Sequence, residues 1–266
     1  MIPVTQKDRT EEQHFFDFAA EVGLTKHYGG LDATEELVEL CHIDEGKLVL
    51  NVGCDVGQTP CLLAKRYGCR VMGVDINERM IEKSRERAET ERVADRTEFR
   101  VADAQSLPFE DDAFDAVITE SVTVFPEDKE KTVKEYARVT KPGGYVGLSE
   151  STWLKAPPPP EILAWAAQDL GAHVKPLTSD GWAGLLEGAG LRDIVARAYE
   201  IQVREEAKAL VRRYSYGGML RTLYRALVLY TRNPWYRRFV KDVRKAGITP
   251  DGLVEYLGYG TYVGRK

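Results

Sequence analysis

The pattern that most constrains the fold is a regular alternation of two kinds of segment between Lys47 and about Val203. Short runs rich in β-branched residues alternate there with amphipathic stretches of helical period, such as residues 78–90. This spacing predicts βαβ units, and hence a parallel sheet with helices on both faces. Near-continuous apolar runs such as YVGLSE fit strands that are buried on both sides. Six strands are predicted, at residues 48–52, 70–75, 97–102, 114–119, 145–150 and 193–203.

Segments of different character flank this region. Residues 11–22 and 33–41 have helical patterns within an N-terminal unit at residues 1–45. Tyr, Arg and Leu recur at helical spacing through residues 204–250, which we interpret as a helical lid. The last unit, residues 251–266, alternates like a strand. The expected fold is α/β: a doubly wound, Rossmann-like sheet of seven strands built on residues 46–203, with the last strand antiparallel and the lid inserted before it.

Composition places the chain among ordinary globular proteins, because 43% of its 266 residues are hydrophobic and 30% are charged. No stretch approaches the roughly 20 apolar residues that a membrane-spanning helix needs. The first residues are polar and acidic, whereas a secretory signal is basic and then apolar, so a cytoplasmic location is expected. The four cysteines form no CxxC pair, so no metal site or disulfide framework is predicted. Thiols that bind a soft metalloid are the less favoured interpretation.

Charge is spread unevenly along the chain. From Arg204 to Lys245 there are 12 Lys and Arg against 3 Asp and Glu, a net +9, whereas the remainder has 25 against 39, a net −14. Such an asymmetric charge distribution is more informative about binding partners than about the fold. No RNA- or DNA-binding motif accompanies the basic segment, so nucleic acid is not an expected partner. A weak peripheral contact with anionic membrane and an oligomeric state both stay open.

The segments with the most chemical information are VLNVGCDVG at residues 49–57 and VMGVD at residues 71–75. A glycine-bearing turn between strand and helix lets a ligand approach the backbone closely, although packing of the helix on the strand also favours glycine there. Asp75 ends the second predicted strand 18 residues after Gly57, where a carboxylate can accept both hydroxyls of a ribose. Together these features favour a nucleoside ligand. A nicotinamide dinucleotide is less favoured, because GxGxxG is absent.

These segments resemble a known family. VLNVGCDVG is similar to the first motif of the class I S-adenosylmethionine (SAM)-dependent methyltransferases, and GVDINERMIEKSRERA is similar to the segment after it. ADAQSLPFEDDAFDAVITE and VTKPGGYVGLSE resemble the later motifs. KHYGGLDATEELVELCHI resembles the lead-in of a small-molecule subgroup similar to the ubiquinone- and menaquinone-biosynthesis (methyltransferase type 11) enzymes. The resemblance covers about residues 25–203 and implies SAM as cofactor and methyl transfer to a small-molecule acceptor.

The resemblance also implies which residues bind SAM. Gly53 and Gly57 would line its methionine and ribose side, and Asp75 would hold the ribose hydroxyls. Asp103, with Ala104 beside it, would face the adenine amine, unless it is a solvated carboxylate of a turn. The whole expected set is Tyr28, Gly29, Asn51, Gly53, Asp55, Gly57, Asp75, Ile76, Asp103, Ala104, Thr119 and Glu120.

The other pairs in this set border the cofactor from two sides. Thr119 and Glu120, beyond the fourth predicted strand, would border the methionine end of SAM. Tyr28 and Gly29 would close over the cofactor from the N-terminal unit at residues 1–45.

Two residues depart from the family pattern, which usually has an acidic residue at Asn51 and a glycine at Asp55. Asn51 can still hydrogen-bond the turn, and aspartate tolerates a positive φ better than most residues. The Asp55 carboxylate lies near the expected carboxylate of SAM, which it would repel, unless it pairs with the SAM amino group. These departures keep an alternative open, namely a protein that binds SAM or a nucleoside but transfers something other than methyl or has lost catalysis.

The reaction needs little from side chains, because SAM has a good leaving group and in-line positioning of the nucleophile supplies most of the rate gain. A general base is required only where the acceptor must first lose a proton. Glu120, His173, Tyr214 and Tyr216 are the weak candidates. The tyrosines of the lid either line an acceptor pocket, with arginines that pair with an anionic substrate, or form the core of the lid under a solvated basic face.

Overall fold

The computed structural model describes residues 27–169, 174–202, 217, 220, 222–234, 236, 237, 250 and 252–266. In this part of the chain, helices and strands alternate as predicted, except between residues 101 and 114, where one strand follows another with no helix between them. The helices are α1 (Gly30–Leu40), α2 (Gln58–Tyr67), α3 (Glu78–Glu91), α4 (Lys129–Val139), α5 (Pro160–Asp169), α6 (Ser179–Gly188) and α7 (Leu253–Tyr256). The strands are β1 (Leu48–Val52), β2 (Arg70–Asp75), β3 (Thr97–Val101), β4 (Phe114–Glu120), β5 (Thr140–Trp153), β6 (Leu177–Thr178), β7 (Arg192–Glu200) and β8 (Leu257–Arg265).

The strands form one sheet in the order β3-β2-β1-β4-β5-β8-β7. Strands β1 to β5 run parallel, and β8 is antiparallel to both of its neighbours, β5 and β7. The predicted doubly wound sheet with an antiparallel last strand is therefore confirmed. The structure adds β6, whose two residues pair with the end of β5. A run this short has no periodicity from which it could be predicted.

Apolar side chains pack on both faces of the sheet. Val49 and Leu50, neighbours on β1, enter opposite cores, because successive side chains of a strand point to opposite faces. Leu50 packs in a cluster that includes Leu148 and Trp182, and Val49 packs in a cluster that includes Ile118. Burial on both faces is the physical reason for the near-continuous apolar runs in the sequence.

β5 is longer than its apolar run predicts. The run at residues 145–150 is the predicted strand, but β5 begins at Thr140 and ends at Trp153. Its second half is polar, with Ser151 and Thr152, yet β8 pairs with it as far as Trp153 and provides its backbone hydrogen-bond partners. Pairing with a strand that is distant in sequence thus extends β5 beyond the point where local hydrophobicity ends.

The predicted lid at residues 204–250 falls largely outside the described residues, so its place in the fold stays a prediction. Residues 222–232 are helical, and the large apolar side chains of Leu223, Tyr224 and Leu227 are exposed there. The helix predicted at residues 11–22 also lies outside the described residues. Among the described helices, none is long and apolar enough to span a membrane.

Candidate functional site

The carboxyl ends of β1, β2 and β4 meet near the middle of the sheet. Because β1 lies between β2 and β4, the strand order reverses at β1. In open α/β sheets, ligands bind in the crevice outside such a switch point. The three strands end at Val52, Asp75 and Glu120. The motifs identified in the sequence therefore converge at one edge of the sheet.

The turn between β1 and α2 contains three residues of positive φ: Gly53 at 68°, Asp55 at 50° and Gly57 at 75°. A Cβ on Gly53 would lie 2.1 Å from Cγ2 of Val122, and a Cβ on Gly57 would lie 2.8 Å from Cα of Ser84. Both glycines are therefore required by backbone conformation and by packing. Close approach of a ligand is not needed to explain them.

Asp75 ties this turn to the end of β2. One carboxylate oxygen, Oδ2, accepts a hydrogen bond from the backbone N–H of Asp55 (3.1 Å), and Oδ1 accepts one from the N–H of Asn77 (2.9 Å). Burial raises the pKa of Asp75, although these backbone donors act to lower it. The backbone N–H of Ile76 also acts on this carboxylate, and three donors do not fill the roughly four acceptor sites of its two oxygens, so it can still accept a hydrogen bond from a ligand.

The surroundings of Asp75 fit a nucleoside. The next residue, Ile76, leaves 72% of its surface exposed, which is unusual for a large apolar residue at the end of a buried strand. A carboxylate with remaining acceptor capacity thus lies beside an exposed apolar side chain. This donor and acceptor chemistry fits SAM, which combines an adenosine with a charged amino acid.

Asp103 and Ala104 follow β3 at the same edge. Asp103 is exposed, and its Oδ1 accepts a hydrogen bond from the backbone N–H of Gln105 (2.8 Å). This is the geometry of an Asx turn, which agrees with the alternative of a solvated turn carboxylate. Ala104 packs against the core cluster that contains Leu50. Asp103 is therefore accessible from solvent at this edge of the sheet.

Asn51, whose side chain is able to hydrogen-bond the turn after β1, contacts the neighbouring strand instead. It is buried inside β1, and its Nδ2 donates to the backbone oxygen of Ile118 on β4 (3.3 Å). Its Oδ1 has no hydrogen-bond partner in the described part of the chain. The assignment of Asn51 to the cofactor site stays a prediction.

Thr119 is also interior to the fold. It is fully buried, and its hydroxyl contacts Thr123 Oγ1 and Glu150 Oε1, each at 3.1 Å. Glu150, on β5, was not among the predicted site residues. Its Oε1 accepts further hydrogen bonds from the backbone N–H groups of Val122 and Thr123, so it fixes the loop after β4, where Val122 covers Gly53. The sequence feature that could have identified Glu150 is the presence of an acidic residue in the apolar run YVGLSE.

Glu120 connects three segments. Its Oε1 accepts a hydrogen bond from the Thr34 hydroxyl of α1 (2.5 Å) and lies 3.2 Å from His27 Nε2. Its Oε2 accepts one from the Thr59 hydroxyl of α2 (2.5 Å). The side chain is only 6% exposed. His27, Thr34 and Thr59 were not predicted as site residues, since no local sequence pattern indicates them.

Tyr28 and Gly29 form the turn that leads into α1. Gly29 has a φ of 77°, and a Cβ there would lie 2.5 Å from the ring of Tyr259 on β8. The turn therefore packs against the last strand, next to His27 and its contact with Glu120. His173, Tyr214 and Tyr216 lie outside the described residues.

The four cysteines are buried and form no disulfide. Burial raises the pKa of Cys61 to about 12 and that of Cys69 to about 11, so the thiolate that binds soft metals is disfavoured. Among the residues that the structure describes, no group of three or more His, Cys, Asp or Glu is arranged to hold a metal ion.

Comparison with known proteins gives the geometry its context. Residues 50–148, which span β1 to β5, match a family described as a methyltransferase domain. The chain belongs to the class I SAM-dependent methyltransferases. Its methyl donor is SAM.

Two relatives in sequence and one in structure illustrate the similarity. An uncharacterized protein of Haemophilus influenzae is 32% identical over 226 residues, which cover 84% of this methyltransferase and 89% of that protein. The phosphoethanolamine N-methyltransferase of Triticum aestivum is 30% identical over 168 residues, 63% of this chain but only 32% of the plant enzyme. A Geobacter sulfurreducens SAM-dependent methyltransferase, solved with S-adenosylhomocysteine (SAH), has a TM-score of 0.67 at 21% identity and covers 94% and 97% of the two chains.

Proposed function

We propose that this methyltransferase transfers the methyl group of SAM to a small-molecule acceptor of apolar or anionic character. The observation that carries the proposal is the Asp75 carboxylate, fixed against the glycine turn by the N–H of Asp55 and followed by the exposed Ile76. A binding protein with decayed catalysis or non-methyl transfer is not favoured, because the matching family and the named relative are methyltransferases.

The proposed cofactor site follows the crevice outside β1, β2 and β4. Asp75 accepts hydrogen bonding from the ribose hydroxyls through the acceptor capacity that its backbone donors, Asp55, Ile76 and Asn77, do not use. Ile76 packs on the adenine ring, and Asp103 lies within the same edge of the sheet. The turn that contains Gly53, Asp55 and Gly57 borders the methionine part of SAM, and the turn of Tyr28 and Gly29 closes the site from the N-terminal side. The electrophilic methyl of the sulfonium is the chemistry that SAM supplies there.

The chain itself contributes positioning and the exclusion of water. A methyl group transfers in line from sulfur to a nucleophile, so the alignment of the acceptor accounts for most of the rate gain. Val122 over Gly53 and the turn at residues 27–29 border the crevice with packed side chains and backbone. A general base is needed only where the acceptor must first lose a proton, and His173, Tyr214 and Tyr216 stay candidates for that role.

The proposal of an apolar or anionic acceptor rests on the basic segment at residues 204–245. In helical residues 222–232, the exposed Leu223, Tyr224 and Leu227 lie beside the exposed Arg225 and Arg232. Apolar and cationic groups on one helix suit an apolar or anionic acceptor, and they also suit weak contact with anionic lipid. Replacing residues 204–250 by a short linker should leave SAM binding nearly intact and abolish methyl transfer. Sedimentation with anionic vesicles at low and high salt tests the lipid contact separately.

Calorimetry with SAM and SAH tests the cofactor site. Asp75→Ala should weaken binding by about 1.5–3 kcal/mol, the range for a hydrogen bond to a charged group. Asp95→Asn is the matched control, because Asp95 is exposed before β3 at the opposite edge of the sheet. Wild-type affinity in the Asp75 variant would remove the ribose assignment. Formation of SAH from SAM with a panel of small acceptors then tests the transfer itself.

A further inference from the structure

The Glu120 carboxylate is nearly buried at the end of β4, and both of its oxygens are engaged. Oε1 accepts a hydrogen bond from Thr34 Oγ1 and faces Nε2 of His27, while Oε2 accepts one from Thr59 Oγ1. The other ring nitrogen of His27, Nδ1, lies 3.3 Å from the backbone oxygen of Tyr28. Each nitrogen of the ring therefore faces an oxygen.

These partners come from segments that border the crevice. His27 begins the turn at residues 27–29, Thr34 lies in α1, and Thr59 is the second residue of α2, directly after the glycine turn. Their separations from Glu120 are 86 residues for Thr34 and 61 residues for Thr59. One carboxylate thus joins the N-terminal turn, the start of α2 and the end of β4.

We propose that Glu120 is a positioning residue that holds the turn at residues 27–29 and the first turn of α2 in the geometry that binds SAM, and that it is not the general base. The argument rests on the cofactor site of the proposed function. The Thr34 hydroxyl donates to Oε1, which also faces His27 Nε2, and the Thr59 hydroxyl donates to Oε2, so both oxygens of the carboxylate are already engaged by the protein. Short hydrogen bonds to a carboxylate are the stronger kind and fix its partners well.

Isosteric threonine variants test this role. Thr34→Val and Thr59→Val remove one hydroxyl each and keep the side-chain shape, whereas Thr34→Ser and Thr59→Ser retain the donor. Thr132→Val is the matched control, because the buried Thr132 hydroxyl donates to the backbone of Asp128 on α4, away from the crevice. All variants are compared in thermal unfolding, so that a general loss of stability is recognised.

Each valine variant should raise the Kd for SAH and the KM for SAM about 5- to 10-fold, with kcat at saturating SAM changed less than 2-fold. This effect is smaller than the full worth of a hydrogen bond to a charged group, because the loss reaches SAM only through the position of the turn and of α2. The serine variants should restore most of the affinity, and Thr132→Val should leave it unchanged. Glu120→Gln should resemble the Thr34→Val/Thr59→Val double variant, and the three changes together should not add further. Amide exchange at residues 27–33 should be faster in the valine variants without any ligand.

Two results would overturn the proposal. One is that Glu120→Gln abolishes kcat with unchanged Kd for SAH, which is the behaviour of a base. The other is that the valine variants match Thr132→Val in SAH affinity and in amide exchange. If instead the wild-type protein binds neither SAM nor SAH, the proposed cofactor site fails, and the amide exchange still decides whether Glu120 holds the N-terminal turn.

Discussion

Replacing the buried Glu150 should make stability less dependent on pH. Its Oε1 accepts three hydrogen bonds, from Thr119 Oγ1 (3.1 Å), Val122 N (3.1 Å) and Thr123 N (2.7 Å). Its Oε2 is buried with no hydrogen-bond partner among the described residues. Burial raises the pKa of this carboxyl above its ordinary value of 4.5, against the effect of the donors.

The raised pKa of Glu150 fixes the sign of its pH-dependent contribution to stability. Because the pKa is raised in the folded protein, the native state binds a proton more readily than the unfolded chain does. The contribution of Glu150 to stability is therefore complete below pH 4.5 and is lost as the pH rises through the folded pKa. The loss is about 1.4 kcal/mol for each unit by which the pKa is raised.

Glu150→Gln keeps a carbonyl acceptor for the three donors and removes the charge. Relative to the wild type, this variant should thus be more stable at pH 8 than at pH 5. Glu150→Leu removes the acceptor of the Val122 and Thr123 N–H groups, each at a cost of about 1–3 kcal/mol, so it should lose at least about 2 kcal/mol at both pH values.

Urea unfolding at pH 5 and pH 8 measures these differences in the free energy of unfolding. Thr140→Val is a suitable control, since Thr140 is buried at the start of the same strand and its hydroxyl donates to the backbone oxygen of Tyr136 (2.7 Å). Its effect should be equal at both pH values. A difference between Glu150→Gln and wild type that does not change with pH would refute the reasoning.

Two further predictions concern the folding of the chain. In thermal unfolding, Gly57→Ala should destabilise the protein more than Gly46→Ala. Both glycines have positive φ, but only at Gly57 does another atom, Cα of Ser84, lie 2.8 Å from the added Cβ. Equal losses of stability in the two variants would mean that the packing of Gly57 against Ser84 is irrelevant. Burial acts to raise the pKa of Asp115, but the Leu48 N–H and Lys141 lower it overall. The stability that Asp115 contributes should therefore be present above pH 3.8 and be lost as the pH falls through its folded pKa. In urea unfolding, Asp115→Asn should differ less from wild type at pH 3 than at pH 6.

The sheet was predictable because its signals are local. Strand β1 shows its burial on both faces through the apolar residues on either side of Asn51, and Asp75 is recognisable because it ends an apolar run at a fixed distance from the glycine turn. Such features depend on residues close in sequence. The length of β5 was not predictable in this way, because its polar end is paired by β8 at the far end of the chain.

The contacts within the candidate site were harder to predict. The direction of the Asn51 side chain depends on β4, and the sequence of β1 alone contains no information about Ile118. The partners of Glu120 come from helices 86 and 61 residues away in sequence, and threonine at those positions has no distinctive pattern. Sequence therefore indicated which strand ends form the site, while the engagement of each carboxylate required the tertiary structure.

Asp55 offers a final test of the cofactor site, because its backbone and its charge can be separated. Its N–H donates to Asp75 Oδ2 and its carbonyl oxygen accepts from Ser84 Oγ (2.7 Å), so the main chain is fixed from both sides at a φ of 50°. Asp55→Asn keeps tolerance of that φ and removes the charge, whereas Asp55→Gly also removes the side chain.

If the carboxylate pairs with the amino group of SAM, both variants should weaken SAM binding, about 2- to 5-fold for a partly exposed ion pair. If it mainly repels the carboxylate of SAM, both should tighten binding by a similar factor. We expect the first result, because the chain keeps aspartate where glycine would adopt the backbone conformation more easily. Calorimetry on the two variants distinguishes these outcomes, and a change in Asp55→Gly without one in Asp55→Asn would assign the effect to the backbone and contradict a contact through the charge.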